Sequence, residues 1–112
     1  MGASNRIVVV LSWLLLWPVS AFAQASIAGV VKDTSGAVLP GVTVEAASPV
    51  LIEKVRSAVT DASGQYRIVD LRAGTYAVTF TLTGFSAVRR EGVEVSINVT
   101  SNIDAQLRVG DL

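Results

Sequence analysis

The clearest pattern in the chain is the run Thr75-Tyr76-Ala77-Val78-Thr79-Phe80-Thr81-Leu82-Thr83, in which large apolar residues alternate with Thr and Ala. A period of two places Tyr76, Val78, Phe80 and Leu82 in one buried row and turns the threonines to the other face, which is the behaviour of a strand. The same alternation recurs in Val42, Val44 and Ala46 against Thr43 and Glu45, and in Tyr66 and Ile68 within Gln65 to Val69. It returns in Val93, Val95, Ile97 and Val99, and finally in Ile103, Ala105, Leu107 and Val109. Ser26 to Lys32 forms a first strand, Leu51 to Thr60 a more polar third one, and Ser86 to Glu91 a polar strand after the turn at Gly84-Phe85. A helical turn around Leu51 to Val55 is the alternative there. Between the runs stand turn signals: Asp33-Thr34-Ser35-Gly36, Pro40-Gly41, Ser48-Pro49, Asp61-Ala62-Ser63-Gly64 and Arg72-Ala73-Gly74. About seven short strands at this spacing predict an all-β, antiparallel β-sandwich.

The first residues follow a different pattern. Arg6 precedes an apolar stretch from Ile7 to Trp17 that is interrupted only by Ser12 and broken by Pro18, and Ala21-Phe22-Ala23 then supplies small residues at a signal-peptidase site. Residues 1–23 therefore read as a cleavable signal peptide, and residues 24–112 as the mature domain. Ala23-Gln24-Ala25 repeats the pattern, so cleavage after residue 25 is the alternative. The apolar stretch falls short of the roughly 20 residues that cross a bilayer as a helix, and no Cys follows it to carry a lipid.

Cleavage removes Arg6 and both Trp, leaving eight basic residues against nine acidic ones. Such a balance gives no electrostatic case for nucleic acid or an anionic membrane surface, which need a clustered basic face. With no Cys, the domain holds by sheet packing alone or with help from a neighbour.

The turns stand in a recognisable order. Gly29-x-Val31-x-Asp33-x-x-Gly36-x-x-Leu39-Pro40-Gly41-Val42-x-Val44, then Thr60-Asp61-x-x-Gly64-x-Tyr66, then Leu71-x-x-Gly74-x-Tyr76-x-Val78 and Gly84-Phe85 resemble the carboxypeptidase regulatory-like domain from about Ser26 to Val109. The resemblance implies a transthyretin-like (prealbumin-like) sandwich, grouped with starch-binding-like folds. It also implies a non-catalytic accessory domain at the N-terminus of a TonB-dependent outer-membrane receptor. On that reading Leu107 to Leu112 leads toward a plug and barrel outside this chain, and a stand-alone paralogue is the alternative. The domain would be exported through the inner membrane to the periplasm or outer membrane, or alternatively secreted. It would touch membrane only through that barrel.

An enzyme is not expected. There is no His and no Cys anywhere, which removes zinc-peptidase ligands and any Ser-His-Asp arrangement. Asp33 and Asp61 precede Gly turns, where Asp bonds the turn's own amides, and two single carboxylates fall short of the six to eight oxygens of a calcium site. No metal and no cofactor are expected. A carbohydrate-binding module is the alternative function, with polysaccharide as the partner, and it needs exposed aromatic platforms. Phe85 and Tyr66 are the candidates, although Tyr66 shares a buried face with Ile68 and Phe85 is the kind of turn aromatic that plugs a core. For the accessory-domain reading, the polar strand with Ser86, Val88, Arg89 and Arg90 is the candidate edge at which a protein partner or neighbouring receptor domain adds a strand. Asn98-Val99-Thr100 fits a glycosylation acceptor, but the resemblance is to bacterial proteins.

Overall fold

The computed structural model describes residues 24–110. The expected signal peptide and both residues after Gly110 lie outside the described residues. Eight strands follow in order: β1 Ala25–Asp33, β2 Thr43–Ala47, β3 Val55–Val59, β4 Gln65–Leu71, β5 Gly74–Thr81, β6 Val88–Val95, β7 Thr100–Asn102 and β8 Ala105–Leu107. They form two four-stranded sheets: β4-β1-β7 with β8 also on β1, and β3-β2-β5-β6. Pairing is antiparallel except that β1 runs parallel to both β7 and β8.

The alternating rows meet between the sheets. Val42, Val44, Ala46, Tyr76, Val78 and Phe80 from one sheet are buried against Ile27, Val31, Tyr66, Ile68 and Leu107 from the other. Each buried aliphatic or aromatic side chain contributes about 1.5–3 kcal/mol over its exposed state, so this shared layer supplies the main driving force. The expected turns form where the glycines require them. Gly64 has φ +73° and donates to the Asp61 carbonyl at 2.9 Å, closing the turn that carries the chain from β3 in one sheet to β4 in the other.

Five expectations are corrected. The third strand starts at Val55 rather than Leu51. Before it, Leu51 turns inward to the core, Lys54 N–H donates to the Leu51 carbonyl at 3.2 Å, and φ +67° at Lys54 ends that single turn. The polar strand and the start of the following run are one strand, β6, kinked by a bulge near Gly92. Beyond it, Ile97 and Val99 face solvent instead of continuing the inward row, because Ser96–Val99 form a turn (Val99 N–H to the Ser96 carbonyl, 3.3 Å) with φ +59° at Asn98.

The last run is split. Ile103 N–H donates to the Ala28 carbonyl (2.8 Å), and Asp104 Oδ1 accepts the Val30 N–H (2.8 Å), so a side chain replaces one rung of the ladder. Of the four residues expected to face inward there, Ala105 and Leu107 are buried, Ile103 is half-buried and Val109 is exposed. Leu82 likewise lies past the end of β5 and is half-buried.

Candidate interaction edges

A partner strand needs outward-pointing backbone N–H and C=O groups, and ladder alternation decides which residues offer them. In the β2–β3 ladder, Thr60 N–H donates to the Val42 carbonyl (2.9 Å) and Ser48 N–H to the Lys54 carbonyl (3.0 Å). With the register Thr43↔Val59, the even-numbered residues of β3 bond β2. Val55, Ser57 and Val59 therefore direct their backbone groups away from the sheet. Among the described residues no strand pairs with β3 on that side. The side chains there are uncharged, with Val55 43% and Val59 61% exposed. A shallow crevice of about 500 Å³ lined by Ala58, Val59, Gln65 and Arg67 runs beside this edge.

The strand expected to serve, β6, is also a sheet edge, but it presents much less. Because odd-numbered residues of β2 bond β5, the even-numbered residues of β5 turn to β6, and Val78↔Arg90 and Phe80↔Val88 are the bonded pairs. Val88 and Arg90 thus spend their backbone groups on β5, and only Arg89 of the four predicted residues faces them outward. Ser86 lies before β6, and its N–H already donates to the Arg108 carbonyl at 2.9 Å. Arg89 is ion-paired with Glu91 at 2.9 Å, both side chains well exposed, and Ser101 Oγ donates to the Glu94 carbonyl (3.3 Å). A bulge, flanking charges and both ends occupied are the devices that discourage strand addition.

The β4 edge is covered at both ends. The Gln65 carbonyl accepts the Asp61 N–H (2.9 Å) and its N–H donates to Asp61 Oδ1 (3.0 Å), and Arg56 Nη1 donates to the carbonyls of Val69 (2.9 Å) and Asp70 (2.7 Å) while Glu53 holds the same guanidinium at 2.7 Å. Charge does not mark the β3 edge in the sequence. The readable signal was Val55-x-Ser57-x-Val59, an uncharged odd-numbered row on a strand whose other face carries Arg56.

The aromatic candidates serve packing. Tyr66 is 4% exposed, its ring stands edge-on to Phe80 with centroids 5.7 Å apart, and its hydroxyl donates to the Ile103 carbonyl. It also lines the crevice beside β3, but shows it only a sliver of surface. Burial pushes its phenol pKa well up, with Asp104 nearby adding to the effect. Phe85 is half-buried against the core, bridged to Val109 and bonded through its N–H to the Leu82 carbonyl (3.0 Å).

The carboxylates before the Gly turns are engaged locally. Asp33 Oδ1 accepts from Ser35 Oγ, Ser35 N and Ala37 N, and the Ser35 bond foremost holds its pKa below the usual carboxylate value. Asp61 Oδ1 accepts from the amides of Ser63 and Gln65 at 2.9 and 3.0 Å. Among the described residues no cluster of three metal-ligating side chains occurs.

A sequence profile described as carboxypeptidase regulatory-like domain matches residues 26–108. The TonB-dependent transporter Oar of Myxococcus xanthus is 37% identical over 101 residues, an alignment covering 88% of this chain and 9% of that protein. The chain thus spans about a tenth of the length of this relative. Among solved structures, the Bacillus anthracis TIE protein superposes with a TM-score of 0.62 at 17% identity, over 78% of this chain and 17% of that one. A chain of a type II cohesin–X-dockerin complex from Acetivibrio cellulolyticus superposes with a TM-score of 0.60 at 25% identity, covering 78% and 59%.

Proposed function

The chain belongs to the carboxypeptidase regulatory-like domain family, and from that premise we propose that it is a non-catalytic accessory domain carried to the periplasm by its leader, working at the N-terminus of a TonB-dependent outer-membrane receptor. The 37% identity to a TonB-dependent transporter across 88% of the chain supports the receptor setting. The observation that carries the mode of action is the open β3 edge. Three outward N–H and C=O pairs flanked by Val55 and Val59 suit an extended, uncharged segment of a neighbouring receptor domain that adds antiparallel to β3. Main-chain bonds give such a contact its affinity, and the two valines select apolar side chains at alternate positions.

A photo-crosslinking side chain placed at Val59, and separately at Arg89, tests this in the exported protein. The Val59 probe is expected to capture an extended peptide of a receptor domain, and the Arg89 probe to capture none. Capture from Arg89 alone, or from neither position, overturns docking on β3. Sequencing past Leu112 tests the setting: no plug and barrel in frame removes the receptor. Retention of starch or another polysaccharide in an affinity gel, lost on Phe85→Ala, would install the glycan-binding module instead.

A further inference from the structure

We infer that the mature chain starts at Gln24 and carries that residue as pyroglutamate, a blocked, uncharged N-terminus. The inference rests on the exported reading above and adds to it both the cut and the modification. Two cleavage points compete in the sequence, and the fold treats them differently. Gln24 is exposed and lies just outside β1, while its carbonyl accepts the Asn98 N–H at 3.1 Å. A cut before Gln24 therefore leaves β1 whole and places the new α-amine in solvent. A cut after Ala25 deletes Ala25, which is 1% exposed and paired with Leu71, and it removes the carbonyl that Asn98 uses. It would also place the new ammonium on Ser26, which is 8% exposed and already bonded through Oγ to Thr100 Oγ1 at 2.7 Å. A charge taken from water without a counter-charge is costly.

An N-terminal Gln is a substrate for its own cyclisation. The neutral α-amine attacks the side-chain amide carbon, a new N–C bond closes a five-membered lactam, and the bond to the amide nitrogen breaks. The proton lost by the amine leaves with that nitrogen as ammonia, so no oxidant or co-substrate is needed. Reaction within one residue enjoys the high effective concentration of a short tether. An α-amine titrates near pH 8, so part of it is neutral at physiological pH. The exposed side chain of Gln24 is free to fold back on an overhang of one residue, without displacing β1.

The test is to export the chain with its leader in a Gram-negative host and to tag free amines on the intact protein. Trypsin, which no longer cuts at the tagged lysines, then releases the N-terminal peptide ending at Arg56, whose mass is read. The expected peptide is Gln24–Arg56, short by one ammonia and untagged at its N-terminus in most molecules, whereas Gln24→Ala yields a peptide tagged at its N-terminus from the same cut. A tagged Gln24 peptide overturns cyclisation while leaving the exported reading intact. A peptide starting at Ser26 overturns the assigned cut. A peptide still joined to leader residues overturns the exported reading itself.

Discussion

The two flanks of the sandwich are built on opposite principles. On the β6 flank the chain passes from one sheet to the other, and β7 and β8 lie beside β1 as parallel strands stapled at Ile103 and Asp104. The edge strand there is bulged, charged and bonded at both ends. On the β3 flank the Asp61–Gly64 turn, the Arg56 guanidinium and the Leu39–Val42 segment bonded to Thr60 connect the sheets, and among the described residues the outer row of β3 is left with unpaired main-chain groups. Charge marks the protected edge, and its absence marks the one able to receive a strand. An isolated domain gains nothing from an uncharged open edge, which invites aggregation, so its presence points to a partner that covers it.

The largest effect should come from breaking the closed flank at Gly29. A Cβ there would overlap the Ile103 carbonyl and stand 2.9 Å from Asp104 Oδ1, both of which hold the β7–β8 crossing against β1. Gly29→Ala has to push backbone away from backbone, and the expected loss is about 3 kcal/mol or more, read from the midpoint of urea unfolding. An unchanged midpoint would mean that the crossing is loosely held and that the contrast between the flanks is false.

A proline pair sharpens the open flank. Ala58 directs its N–H to β2, and Ser57 directs its N–H outward. Ala58→Pro removes a ladder bond inside the sheet and should cost about 3 kcal/mol. Ser57→Pro removes a donor that bonds nothing in the domain, a placement proline tolerates on edge strands, and should cost about 1 kcal/mol or less. The two unfolding curves give the comparison directly. Ser57→Pro should nonetheless abolish capture at Val59, because the central donor of the docking row is gone. Equal destabilisation by both substitutions would show that the polarity assigned to β3 is wrong.

The core rows were legible because a half-buried strand writes its burial as alternation. Val42, Val44, Ala46, Tyr76, Val78 and Phe80 are buried as expected, and Asp61–Gly64 turns as its residues require. What alternation could not reveal was the point at which a chain leaves one ladder for another. Val93 and Val95 belong to β6, but Ile97 and Val99 continue the period of two only in sequence, since the strand ends at Val95 and a turn closed from the Val99 N–H to the Ser96 carbonyl, with positive φ at Asn98, follows it. Parallel pairing with β1 was equally hidden, because period two is the same in either direction. The phase of the edge ladders was hidden for a related reason. A polar strand was read as an offered edge, whereas exposure of main-chain groups depends on ladder phase and on partners distant in sequence, such as Arg108 and Ser101.

The smallest expected effect probes how the flanks communicate through β1. Tyr66 pairs with Gly29 across the β1–β4 ladder, and its hydroxyl reaches over that glycine to the Ile103 carbonyl. A side chain at Gly29 would meet the same carbonyl, so both family-motif residues serve one junction. Tyr66→Phe keeps the ring against Phe80 but strips the carbonyl of this partner, and should cost about 1–2 kcal/mol. The substitution also has a pH signature. Burial raises the Tyr66 pKa in the folded state above its unfolded value of about 10. The folded state therefore retains the proton longer, and the stabilisation is complete below pH 10 and is lost as pH climbs past it. Denaturation midpoints measured from pH 8 to 11 should fall steeply in the parent protein and less steeply in Tyr66→Phe. Tyr76, whose pKa burial also raises, keeps some slope in the variant. Parallel curves would mean that the Tyr66 hydroxyl is as well solvated folded as unfolded, and the junction at Ile103 would then be held by Gly29 and Asp104 alone.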